Sequence, residues 1–232
     1  MGRIQKAYEA KFHRVLRQVK ARRMEQGLQQ LLAQAERARR PDRITEAHAL
    51  ELVWQQLRQK VERFLAKTDP QRSRSATTVV PPRFLCDAGL GGLARWLRAA
   101  GYEALWRPDI DDDELLREAI RLQATLVTTD SMLMERRLLR DGVIPSAWVA
   151  PALTALEQLA AVLDELKLPL REPRCMKCGG ALEPVDKEAV RERIPPRTYR
   201  WLDEYFLCQK CGKLFWRGTH WQRIRQRLES RL

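Results

Sequence analysis

Apolar residues recur at helical spacing from the start of the chain: Ile4, Tyr8, Phe12, Val15, Leu16 and Val19, then Met24, Leu28, Leu31 and Leu32. Pro41 ends the run, since proline inside a helix removes a donor and clashes with the preceding turn. Asp42 or Thr45 can cap a second helix carrying Leu50, Val53, Trp54, Leu57, Val61, Phe64 and Leu65. The pattern therefore predicts a helical hairpin over residues 1–67. Residues 68–82, TDPQRSRSATTVVPP, are dominated by Pro, Ser, Thr and Arg, and read as a linker.

From 83 to 170 the period alternates. RFLCDAG reads as a short buried strand ending at an acid, and GLARWLRAAG as a helix stopped by Gly101. YEALWRP is a second strand, DDDELLREAIRLQ a helix with acids where the dipole favours them, and ATLVTTD a third strand ending at an acid. SMLMERRLLRDG is predicted as a further helix, IPSAWV as a fourth strand, and 152–166 as a last helix. Strand–helix alternation implies an α/β domain with a parallel sheet covered on both faces.

Residues 171–232 carry four of the five cysteines in two C-x-x-C pairs, Cys175/Cys178 in RCMKCGG and Cys208/Cys211 in LCQKCGK. Each pair is followed by glycine, which permits the tight turn that aims backbone N–H groups at thiolates. Four thiolates close a tetrahedral shell, the signature of a structural zinc. Neither pair follows a strand within a βαβ unit, as a redox pair would. The 29 intervening residues exceed the usual ribbon spacing, and VDKEAVRERI is predicted as a helix inside the insert. The fifth cysteine, Cys86, reads as a buried core thiol.

Charge sharpens the picture. The 232 residues carry a net +13. Residues 1–75 hold 18 Lys/Arg against 8 Asp/Glu, a surplus of ten, leaving three for the rest. Such a surplus favours a polyanion such as nucleic acid, the competing reading being solubility or unspecific stickiness. No run of roughly 18 apolar residues is present, so no membrane-spanning helix is expected. MGRIQKAYEAKFHRVLRQVK is too charged for a signal peptide, and a cytoplasmic protein is expected.

The predicted strands also organise acids. Ligands collect outside the carboxyl ends of strands in an open parallel sheet. Asp87 follows the first strand, Asp130 the third, and Asp112 opens the helix after the second. The phrase DDELLREA places Asp112 on the inward side, with Asp113 held in reserve. Three converging carboxylates repel one another unless a cation sits among them, and oxygen-only donors suit Mg²⁺ or Mn²⁺. Such an ion can activate water toward a phosphodiester. The competing reading makes the three aspartates caps and turns.

FLCDAGLGGLARWLRAAGY, DDELLREA, LVTTD, the two knuckles with LEPVDKEAVRERIPPRTY, and FWRGTHW, in that order, resemble the Mut-seven C-terminal ribonuclease-domain family over about residues 83–225. The resemblance implies a PIN-like nuclease domain over 83–170 and a zinc ribbon with a basic tail over 171–232. It implies that Asp87, Asp112 and Asp130 are metal-binding catalytic acids and that Cys175, Cys178, Cys208 and Cys211 hold zinc. It also puts Arg95 and Arg98 on a basic helix able to meet phosphate.

The expected activity is metal-dependent endoribonuclease cleavage of RNA. The alternatives are a non-catalytic RNA- or ribosome-binding protein of the same fold, and the toxin half of a toxin–antitoxin pair. RNA is the expected partner, with tRNA or a ribosomal surface among the candidates. In the ribbon Lys210, Lys213, Arg217, His220 and Trp221 mix cations with aromatics, which suits single-stranded RNA, while the competing reading has Trp216 and Trp221 pack the ribbon onto the nuclease domain. In the hairpin Arg14, Arg17, Lys20, Arg22 and Arg23 are candidate phosphate contacts. The competing reading turns the stripe from Ile4 to Leu32 into the seam of a homo-oligomer.

Overall fold

The computed structural model describes residues 3–42, 44–68 and 81–229. The chain divides into two compact units: Met1–Val80 with Asp130–Glu135, and Pro81–Thr129 with Arg136–Leu232.

The first unit contains three helices where a hairpin was expected: α1 (Arg3–Gln18), α2 (Met24–Asp42) and α3 (Glu46–Thr68). The stripe predicted as one helix breaks at Lys20, which is left-handed with φ +52°. The Ala21 N–H reaches back to the Leu16 carbonyl at 2.9 Å, a Schellman-type end with lysine where glycine is usual. No Gly or Pro marks the break in VKARR, so the apolar period runs through it. Tyr8, Phe12, Leu28, Leu50, Val53 and Trp54 form the buried interior. Lys11 is buried too, its ammonium 5.8 Å and 5.3 Å from the ring centres of Tyr8 and Trp54. Of the expected linker 68–82, residues 69–80 lie outside the described residues.

The second unit is built on a four-stranded parallel sheet. Its strands are β1 (Phe84–Cys86), β2 (Ala104–Trp106), β3 (Thr125–Thr128) and β4 (Ser146–Trp148), in the order β2-β1-β3-β4. Leu85 pairs with Leu105 on one side and Leu126 on the other, so β1 is central and wholly buried. Helix α4 (Gly91–Ala99) follows β1, α5 (Asp112–Leu122) follows β2, the single turn α6 (Arg137–Arg140) follows β3, and α7 (Ala155–Leu166) follows β4. Phe84, Cys86, Val127 and Ala147 pack with Leu93 and Leu97 of α4 and with Leu159, Val162 and Leu163 of α7. Leu85 and Leu126 alternate to the opposite face, as the two-residue period of a strand requires.

The helix expected over SMLMERRLLRDG is only a 3₁₀ turn, Leu133–Glu135, and the four residues of α6. The Asp130 carboxylate accepts the Met132 N–H at 2.7 Å, an Asx-type turn that competes with helix. Arg136 then adopts ψ 134°, which interrupts the helical run.

The cysteine-bearing segment forms an antiparallel sheet in the order β5-β6-β7, from β5 (Leu182–Val185), β6 (Tyr205–Cys208) and β7 (Leu214–Trp216). The predicted insert helix is a 3₁₀ segment, Glu188–Arg193, followed by the short helix α8 (Pro196–Trp201), preceding β6. Val190, Ile194 and Tyr205 make a small core with Trp216 against it. The last helix, α9 (Thr219–Glu229), returns to the parallel-sheet region, where Leu228 joins the α4–α7 core.

The junction between the two sheets is tight. The N–H groups of Arg171 and Arg174 bond the carbonyls of Ala100 and Arg98 at 3.0 and 2.9 Å, and the Tyr102 hydroxyl donates to the Pro169 carbonyl. Gly101 has φ +93°, and a Cβ there would lie 2.5 Å from Arg171 Cβ. Only glycine meets both demands.

Candidate metal centre and acidic edge

The four cysteines assemble across the antiparallel sheet. Cys175 and Cys178 occupy the turn before β5, Cys208 ends β6, and Cys211 lies in the turn to β7. Their sulfurs all lie within 4.8 Å of one another. The Cys175–Cys211 and Cys178–Cys208 separations are 3.7 and 3.4 Å. Thiolates about 2.3 Å from one tetrahedral zinc would stand about 3.8 Å apart, so the donor set fits a metal ion such as zinc.

At the knuckles burial works against backbone N–H groups, and it prevails at Cys175 and Cys178 but not at Cys208. Burial pushes the Cys175 thiol up to about 12, against the backbone N–H groups of Cys178 and Lys177. Burial also pushes Cys208 upward, but the N–H groups of Cys211 and Lys210 and its sulfur neighbours bring it down to about 7. Gly180 lets these turns close, because a Cβ there would come within 2.8 Å of Cys208 Sγ.

Arg98 was expected at phosphate, and the structure corrects this. It is only 7% exposed, on the buried side of α4. Its Nε donates to the Ala104 carbonyl at 2.8 Å, and Nη1 donates to the Met176 and Lys177 carbonyls at 3.1 and 3.0 Å. Met176 and Lys177 are the two residues between the first pair of cysteines. Arg98 therefore ties β2 to the first cysteine knuckle, with Nε and Nη1 engaged by backbone carbonyls. Its neighbour Arg95 is exposed.

Asp87 stands at the carboxyl end of central β1. Its N–H continues the ladder to the Val127 carbonyl, while its carboxylate accepts the Ala88 N–H and the Thr128 hydroxyl, each at 2.6 Å. Thr128, fully buried at the end of β3, is a residue that sequence reasoning passed over, its one signal being its place before Asp130. Cys86, beside Asp87, is fully buried as expected, and burial pushes its thiol up to about 12.

Asp112 is exposed at the first position of α5, and not turned inward as expected. The cap is Asp111, whose carboxylate accepts the Glu114 N–H at 2.8 Å. Glu114 in turn pairs with Arg107 at 2.5 Å, and Asp113 pairs with Arg136. Neither arginine was singled out in the sequence. Asp87 and Asp112 belong to the sheet-bearing unit, and Asp130 clusters with the helical one. Among the described residues, the four cysteines are the one group of three or more His, Cys, Asp or Glu whose ligand atoms come that close.

A model of the Mut7-C RNAse domain matches residues 82–228. The chain belongs to the Mut7-C RNAse domain family. No curated protein and no solved structure gives a match. The Mut7-C region begins two residues before β1 and ends within α9, so it takes in both sheets. Membership supplies the coarse assignment, a ribonuclease-type domain acting on RNA, joined to a four-cysteine metal centre. No helix among the described residues is long and apolar enough to cross a membrane.

The remaining expected RNA contacts are placed as follows. Lys210, Lys213 and Arg217 are exposed on the ribbon, and the Arg217 guanidinium lies 5.2 Å from the Phe206 ring centre. Trp221 stacks on Phe206 with centroids 6.3 Å apart and planes 8° from parallel. His220 and Arg14 lie in α9 and α1 with side chains outside the described ones. Arg17, Lys20, Arg22 and Arg23 are exposed at and after the end of α1.

Proposed function

We propose that this chain is a metal-dependent endoribonuclease with a PIN-like domain and a zinc-stabilised ribbon. The observation that carries the reading is the Mut7-C match over a parallel sheet whose central strand ends at Asp87. Asp87, Asp112 and Asp130 are the proposed acids. As oxygen donors they suit Mg²⁺ or Mn²⁺, an ion that supplies a more acidic water and offsets charge developing at phosphorus. The chain's own part is to hold Asp87 in place: the Ala88 N–H and the Thr128 hydroxyl fix its carboxylate at the sheet edge. The exposed cations at the end of α1 supply attraction for RNA that an acidic edge lacks.

A second reading keeps the fold and the RNA but not the chemistry. It is favoured by the same two hydrogen bonds, which satisfy Asp87 as a cap on the 3₁₀ turn Ala88–Leu90. The deciding experiment is cleavage of generic single-stranded RNA by the full chain with Mn²⁺ or Mg²⁺. Wild type should cleave, and Asp87→Asn, Asp112→Asn and Asp130→Asn should each lose cleavage while keeping their zinc. A wild type that stays inert with either ion, or an Asp87→Asn that cuts as fast, sinks the catalytic reading.

A further inference from the structure

A cavity of about 1030 Å³ opens where α4, α8, β7 and α9 meet. Arg95 and Ala99 line it from the C-terminal half of α4, whereas Asp87 precedes that helix. The cavity is thus set apart along α4 from the acidic edge. It is at the upper end of the size range of small-molecule sites.

Its lining is unusual in two respects. Arg95, Arg171, Arg197 and Lys213 line it, all exposed and none with a carboxylate partner among the described residues. Glu172 and Glu229 are the acids of the lining, and they answer Arg217 and Arg225. The second respect is aromatic. Trp201, at the end of α8, lies on the wall yet is 77% exposed, and Trp216 and Trp221 line the same space half-buried. Three tryptophans on one cavity wall, one of them largely open to water, make an exposed aromatic patch rather than a single stray side chain, and such patches mark binding sites.

We infer that this cavity holds a segment of single-stranded RNA, with a base stacked on Trp201 and its phosphates drawn in by Arg95, Arg171, Arg197 and Lys213. The chemistry selects the ligand. Every base offers a π face to a flat aromatic, while the phosphates between bases meet unpaired cations. An acidic peptide would satisfy the cations and leave the tryptophan uncovered. A duplex hides its base faces and would leave it uncovered as well. The inference takes from the ribonuclease reading only the choice of RNA as the polyanion. The cavity is a holding site that sets where along a strand the acidic edge is presented.

The test is fluorescence anisotropy of the zinc-loaded full chain with a labelled short oligouridylate, across a salt series and without Mg²⁺ or Mn²⁺. Trp201→Ala should weaken binding roughly 5- to 150-fold, the loss of one base stack. Trp201→Phe should restore most of it, which separates stacking from damage to the fold. Arg95→Ala combined with Arg197→Ala should lower the salt slope by about 1.4. Equal affinity in Trp201→Ala, equal binding of duplex RNA, or displacement of the RNA by polyglutamate as readily as by unlabelled oligouridylate would each overturn the inference. A chain that binds through Trp201 but cleaves nothing upholds it and refutes the ribonuclease reading alone.

Discussion

Replacing Arg98 by methionine should cost the sheet-bearing unit about 4 kcal/mol. Methionine preserves much of the apolar stem, so the loss is that of the guanidinium fork. The Ala104 carbonyl sits at a buried bond and forfeits about 2 kcal/mol when left without a donor. The Met176 and Lys177 carbonyls are partly accessible, and about 1 kcal/mol each is appropriate, since water replaces some of the loss. Arg98→Lys should fall between, because one ammonium cannot span three carbonyls held apart by a planar fork. Urea unfolding of the zinc-loaded chain, followed by tryptophan fluorescence, gives the stability. A chromogenic chelator gives the zinc release rate, which should rise because Met176 and Lys177 set the spacing of Cys175 and Cys178. If Arg98→Met unfolds within about 1 kcal/mol of wild type and releases zinc no faster, the fork does not brace the knuckle.

Three further outcomes follow from the same geometry. Chelating the zinc should melt the β5-β6-β7 sheet first, seen as early loss of amide protection over residues 175–216, because its own core is small. Cys86 has its thiol raised from 9.0 to about 12, so above pH 9 the unfolded chain loses a proton that the folded chain keeps. The stability difference between wild type and Cys86→Ala should therefore fall with rising pH over pH 9–12, by about 1.4 kcal/mol per unit, and a flat difference would contradict the burial argument. Lys20→Gly should raise the melting midpoint, by about 0.5–1 kcal/mol in stability, since glycine adopts φ +52° without strain; a lower midpoint would mean that the lysine side chain matters more than its backbone.

The parallel strands and the four-cysteine cluster were legible because each is written locally: short apolar runs ended by acids, and two C-x-x-C-G knuckles. Lys20 was not, since a left-handed lysine leaves no mark in a stripe that continues in phase on both sides. Arg98 was misread for a related reason. It stands three residues after Arg95 in LARWLR, and periodicity cannot separate a guanidinium facing water from one facing carbonyls far along the chain. The short α6 failed because Asp130 and Arg136 turn the backbone, while their neighbours Leu133, Leu138 and Leu139 keep a helical look. The capping box Thr154–Glu157 at the start of α7 could have been read from T-x-x-E, and would have set that boundary. Of the cavity the sequence showed only its ingredients, since Arg95, Trp201 and Lys213 come from α4, α8 and the turn before β7.

Helix α9 gives the chain a closed circuit. It leaves the ribbon and delivers Leu228, with Ile224 beside it, into the hydrophobic interior formed by α4 and α7. The part of the chain that follows the cysteines thus completes the interior begun by the part that precedes them. A protein cut at residue 170 would not be a smaller nuclease but a sheet with an open flank. On the proposed zinc assignment, metal loading at the cysteines is a condition on the maturation of the whole Mut7-C region, and zinc starvation should appear as a folding defect of the parallel sheet as well as of the ribbon.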